Sequence, residues 1–147
     1  MTLDDLLRSG RVRREDVSRE EVLHALERAR RDLDVARKVM PHDSDWAFSI
    51  AYNAVFQASR ALMFARGFRP AAKDAHKNTF AFMRCVMGRE HQRLVRFFDR
   101  ARVKRHRAIY DIAGVISETE ARNLLGAATE FVGVISNELA PLLGNDS

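Results

Sequence analysis

Apolar residues recur at helical spacing along most of this chain. From Val22, the positions Leu26, Ala29, Leu33, Ala36 and Met40 fall three or four residues apart, the period of one helix face. Ser18 and Glu21 stand just before them in the S-x-x-E order of a capping box, and Pro41 closes the run. A second long helix is predicted over "PHDSDWAFSIAYNAVFQASRALMFARGF", with Asp43 or Ser44 as its cap and Gly67 as a left-handed stop. Trp46, Phe48, Ile50, Ala51, Val55, Phe56, Ala58, Leu62 and Phe64 leave it little polar surface. Such a helix is central and packed by several neighbours. One polar stripe survives, at Ser49, Asn53, Gln57 and Arg60. It reads either as a boundary between packed neighbours or as a lining turned toward a cleft or a second subunit.

The remaining segments repeat the pattern. Residues 2–17 hold a short helix, "LDDLL", a break at Gly10 and a basic turn, "RSGRVRRED". "GFRPAAKDA" reads as a loop. A shorter helix is predicted from about His76 to Met87, with Phe80, Met83, Cys85 and Met87 apolar, and Gly88 breaks it. A fourth starts near Glu90. Ser117 and Glu120 form another S-x-x-E box that opens a fifth, running to about Leu143 with Leu124, Ala128, Phe131, Val134, Ile135 and Leu139 on one face. No segment shows the two-residue period of a strand. The expectation is an all-α, antiparallel bundle of about five helices over 18–143, preceded by a short N-terminal helix and basic turn over 1–17.

Composition narrows the function classes. A chain of 147 residues with 46% hydrophobic content is long enough for one real core. No apolar run approaches the roughly 20 residues that span a bilayer. The opening "MTLDDLLRSG" lacks the apolar stretch of a signal peptide, so a cytoplasmic location is expected and a membrane role is not. The single cysteine, Cys85, has no internal partner and reads as a small core residue among Phe82, Met83, Val86 and Met87. Net charge is +5, and it is concentrated. Arg89 to Arg107 holds eight Arg or Lys and two acids, a local +6, so the rest of the chain nets −1. That distribution favours a localised anion site over a generally solubilising charge.

The fourth helix carries the candidate chemistry. Its apolar stripe runs Leu94, Phe98, Ala101, Ile109 and Ile112, and Arg105 fills the gap in the middle. A cation on a core-facing stripe needs a carboxylate, helix-end carbonyls or a bound anion. A guanidinium suits phosphate, because its planar fork donates two parallel hydrogen bonds. Asp99, Arg102, His106 and Tyr110 form a second stripe. Imidazole moves protons near neutral pH, and with Arg and Tyr beside it could cleave RNA through the 2′-hydroxyl without a metal. The candidate catalytic residues are therefore Arg105, His106 and Tyr110. Arg100, Arg102, Lys104 and Arg107 are candidates for nucleic-acid binding, with Asn53 and Gln57 as cleft lining. The histidines show no ligand spacing, and no phosphate loop or nucleophile turn is present, so neither a metal nor a cofactor is expected.

Taken together, "REEVLHALERARRDLDVARKV", "AYNAVFQASRALMFARGFRP", "HKNTFAFM", "RVKRHRAIYD" and "SETEARNLLGAATEFVGVI" resemble, in order, the segments of the HEPN superfamily of small helical domains. The resemblance covers roughly residues 18 to 140. The family motif is an Arg, a polar residue, three further residues and a His. Arg105 and His106 match its first two positions, and Tyr110 stands where the family has His. A second alignment pairs Arg100 with His106. The resemblance implies an RNA- or nucleotide-binding homodimer that brings two motif helices together. In ribonuclease members it implies that the Arg and His act together at the dimer interface without a metal, and in small stand-alone members that the chain is the toxin half of a pair with a minimal nucleotidyltransferase antitoxin. With Tyr110 at the His position, two readings stand: a ribonuclease, or a non-catalytic protein that binds the nucleotidyltransferase.

Overall fold

The computed structural model describes residues 1–110 and 113–143; Asp111 and Ile112 lie outside the described residues. The elements are α1 (Leu3–Arg8), β1 (Val12–Arg14), α2 (Arg19–Val39), α3 (Ser44–Ala65), β2 (Phe68–Pro70), α4 (Ala75–Val86), a 3₁₀ turn (Arg89–His91), α5 (Gln92–Tyr110) and α6 (Glu118–Leu143). The bundle is all-α apart from one small ribbon. The sequence signals place its helix ends well. Ser18 Oγ accepts from the Glu21 amide, Asp43 Oδ1 from the Trp46 amide, and Ser117 and Glu120 exchange both bonds of a capping box. Gly67, at φ +83°, turns the chain out of α3. The Glu21 carboxylate does not complete the first box. It pairs with Arg69 instead.

α3 is the axle. Ala47, Ala51, Ala54, Ala58 and Ala61 are fully buried, and such small side chains let neighbouring helices approach closely. α2 packs along α3 with its own Ala25, Ala29 and Ala36, and α4, α5 and α6 cover the other faces. The apolar surface of α3 is thus met within the chain and does not require a second subunit. Trp46, expected to pack, is 57% exposed near the helix N-terminus. Cys85 sits at the core's edge rather than inside it, its thiol 3.5 Å from the Met1 carbonyl. Among the described residues no helix is long and apolar enough to cross a membrane.

The ribbon is the departure from the all-helical expectation. β1 and β2 run antiparallel, with Val12 opposite Pro70 and Arg14 opposite Phe68. Three-residue strands are too short to show a period, and flanking arginines hide the buried Val12 and Phe68. The ribbon is extended by Glu15 N to Gly67 O and Ala71 N to Arg11 O, each 2.9 Å. Arg11 Nε then donates to Asn78 Oδ1 at 2.8 Å, and Asn78 Nδ2 to the Lys73 carbonyl at 2.9 Å. Leu6 and Val12 are buried in the same core as the helices. Residues 1–17 therefore brace the segment that leads into α4.

Candidate anion-binding cleft

α5 enters the core through Val95, Phe98 and Ala101. Phe98 meets Phe131 of α6 edge-on at 5.0 Å. One turn further on, the same stripe presents Arg105. Its guanidinium carbon lies 5.2 Å from the ring centroid of Tyr52, a cation–π distance. Tyr52 is fully buried in α3. Arg105 Nε is buried without a hydrogen-bond partner, and among the described residues no carboxylate pairs with this side chain. A buried polar atom left open is costly in a finished site and natural in one that awaits an anion.

Opposite Arg105, the chain enters α4. Asp74 holds the left-handed conformation (φ 59°, ψ 37°) and makes no side-chain cap bond. The first-turn amides of Ala75, His76 and Lys77, which no helix carbonyl can serve, thus have no capping side chain. Such a terminus favours negative charge. Between this end of α4 and α5 lies a cleft of about 580 Å³. Asp74, His76 and Lys77 stand on one wall, and Arg102, Arg105, His106 and Arg107 on the other. Four cationic side chains and one carboxylate line the cleft.

His76 is the cleft's inner polar group. Its Nδ1 is 2.8 Å from the Tyr52 hydroxyl, and its ring stacks on Phe56 at 3.8 Å with planes 3° apart. Burial, and then the nearby guanidiniums of Arg105, Arg102 and Arg60, push its pKa down from 6.5 to about 4. Burial also pushes the Tyr52 phenol well above its ordinary value, against the pull of Arg105 and Arg102. Both groups are therefore neutral at neutral pH.

The structure divides the residues expected from sequence. Arg105, His106, Arg102 and Arg107 share the cleft. Arg102 also bonds Asp99 at 3.0 Å, and Asp99 holds Arg84 at 2.7 Å. Tyr110 is 67% exposed at the rim and packs its ring 4.8 Å from that of His106. Arg100 and Lys104 lie on another side of α5, in a groove with Phe48 and Phe97, where Lys104 pairs with Glu120 of α6. Asn53 and Gln57 do not line the cleft. Asn53 donates to Asp32 of α2 at 2.7 Å, and Gln57 accepts from Arg60 at 3.1 Å. The stripe they belong to is a boundary between packed helices. Tyr52 and His76 did not stand out in the sequence, although a phenol inside an apolar helix is itself a signal, because its hydroxyl needs a partner. Among the described residues no cluster of three or more His, Cys, Asp or Glu is placed to hold a metal.

A family model described as the HEPN domain matches residues 22–139. Among solved structures, TT1696 from Thermus thermophilus superposes with a TM-score of 0.64. The two share 21% sequence identity, over 80% of this chain and 98% of that one, a likeness of fold. No curated protein sequence matches significantly.

Proposed function

The chain belongs to the HEPN domain family, and from that premise we propose that it binds RNA or nucleotide phosphate in the cleft between α4 and α5. The observation that carries this reading is Arg105, a cation on a core stripe with a buried, unpartnered Nε and no carboxylate beside it. Its surroundings fit a phosphate: an uncapped helix start across the cleft, and Lys77, Arg102 and Arg107 around it. His106 on the same wall is the residue to move a proton in metal-independent cleavage of RNA, with Arg105 stabilising charge on the phosphorus oxygens. Tyr110, packed on the His106 ring, positions it. The reading extends to a cytoplasmic homodimer acting as the toxin of a pair with a minimal nucleotidyltransferase, which rests on family resemblance.

A second reading has its own support. Val103, at the cleft, and Tyr110, against His106, are 52% and 67% exposed. Large apolar groups there suit a protein partner, and a non-catalytic chain that only binds the nucleotidyltransferase would present them so.

Anisotropy of a labelled single-stranded RNA tests the main reading. Arg105→Ala is expected to weaken binding at least about tenfold, the worth of one charge-assisted contact, while thermal unfolding stays cooperative. Unfolding of that variant would make Arg105 structural. RNA cleavage in EDTA that is lost in His106→Ala favours the ribonuclease. RNA binding without cleavage keeps the phosphate site and removes the ribonuclease, and neither binding nor cleavage favours the second reading.

A further inference from the structure

Tyr52 is fully buried, and its hydroxyl has one partner among the described residues, His76 Nδ1 at 2.8 Å. A phenol hydrogen in the core must be given to an acceptor. The acceptor here is Nδ1, which leaves the imidazole's own hydrogen on Nε2. Nδ1 is engaged inside the core, and Nε2 is the ring atom left to serve the cleft that His76 lines. The ring cannot turn freely, because it lies flat on Phe56 at 3.8 Å. The guanidinium of Arg105 rests on the same tyrosine, 5.2 Å from its ring centre. Tyr52 thus sets two groups of the cleft at once, one by hydrogen bond and one by its π face.

Resting on the reading that this cleft holds phosphate, we infer that His76 is a fixed, uncharged arm of the site, locked by Tyr52 so that Nε2–H donates to a phosphate oxygen held by Arg105. The charged and titratable groups around the ring agree with an uncharged imidazole. Arg60 and Tyr52 approach it from α3, Arg102, Arg105, His106 and Arg107 stand on α5, and on its own wall Lys77 follows it and Asp74, the one carboxylate, precedes it. The cations resist a further positive charge. Protonation would also reverse the bond at Nδ1 and leave the buried phenol hydrogen without an acceptor. A neutral donor adds direction without that conflict, and it frees His106, the other cleft histidine, for proton transfer. His76 is in this sense a binding and positioning residue, not an acid or base.

Nitrogen-15 NMR of the whole protein tests this directly, because the two imidazole nitrogens of a neutral ring resonate far apart and identify the tautomer. The free protein is expected to show His76 neutral with its hydrogen on Nε2 from pH 6 to 8. Tyr52→Phe is expected to give a mixture of tautomers. Inorganic phosphate or adenosine 5′-monophosphate should shift the Nε2 signal. His76→Ala should weaken adenosine 5′-monophosphate binding about tenfold, the loss of one hydrogen bond to a charged group. His76→Gln supplies an N–H without a titrating ring and should stay within about threefold of wild type. An imidazolium, or a hydrogen on Nδ1, in the free protein overturns the inference. So does phosphate binding that shifts the Arg105 signals and leaves His76 unmoved, and in that case the phosphate reading still stands. If neither the nucleotide nor RNA binds at all, the reading falls and this inference falls with it.

Discussion

Arg105 occupies a slot that a leucine would fill in an ordinary amphipathic helix, and the sequence shows this plainly because the stripe on either side is regular. What the stripe hides is the other wall. His76 and Tyr52 are 24 residues apart in sequence and reach Arg105 only through the packing of α3, α4 and α5. No local spacing encodes that meeting. His76 also has a measurable effect of its own on stability. Its pKa is about 4 in the folded chain against an ordinary 6.5. Between these values the unfolded chain binds the extra proton, so folding stability is full above about pH 6.5 and falls as pH drops toward 4. Urea midpoints at pH 7 and pH 4.5 are expected to differ less in His76→Gln than in wild type. An identical drop in both proteins would show that the imidazole is not held neutral.

At the scale of the helix, α5 sorts its cations. Periodicity predicts a basic helix but not which of its charges are already answered. Lys104 is matched by Glu120 and Arg102 by Asp99, because α6 and α5 itself place carboxylates there. Lys77, Arg105 and Arg107 face the cleft with no such match among the described residues. If three phosphate contacts form, the logarithm of RNA affinity should fall with the logarithm of salt at a slope of about −2 for a single strand. Arg107→Ala should flatten the slope by about 0.7. Lys104→Ala should leave it unchanged and instead loosen the start of α6. Anisotropy titrations between about 50 and 200 mM salt separate these outcomes. A slope insensitive to Arg107 would move the RNA to another face.

For the molecule as a whole, the bundle was legible and its N-terminal attachment was not. Long helices announce themselves through period and caps. The β1–β2 ribbon is three residues long on each side and joins segments distant in sequence, so nothing local marks it. The family match begins at residue 22, after the leader, yet Arg11 and Glu15 of that leader hold the approach to α4. Assembly is the other question at this scale. α3 is satisfied within the chain, so an interface must use other surface, and Val103 and Tyr110 beside the cleft are exposed apolar groups suited to it. Sedimentation equilibrium is expected to give twice 16.8 kDa at micromolar concentration. Val103→Asp should return the monomer, because it puts a charge into an apolar contact. A wild-type monomer would remove the dimer from the proposed function.

The ribbon also has a consequence in time. Pairing Val12 with Pro70 closes a loop of 58 residues, the difference between the two positions. α2 and α3 are neighbours in sequence and can zip together first, since loop-closure entropy penalises distant partners until intervening structure has shortened the gap. The N-terminal segment is then expected to dock after the rate-limiting step. On that expectation, truncating the buried Val12 to Ala removes a contact made on the downhill side of the barrier. In a chevron plot the folding arm of Val12→Ala should overlay the wild type, and the unfolding arm should rise. The leader would act as a latch: it sets how long the native state lasts, not how quickly it is reached.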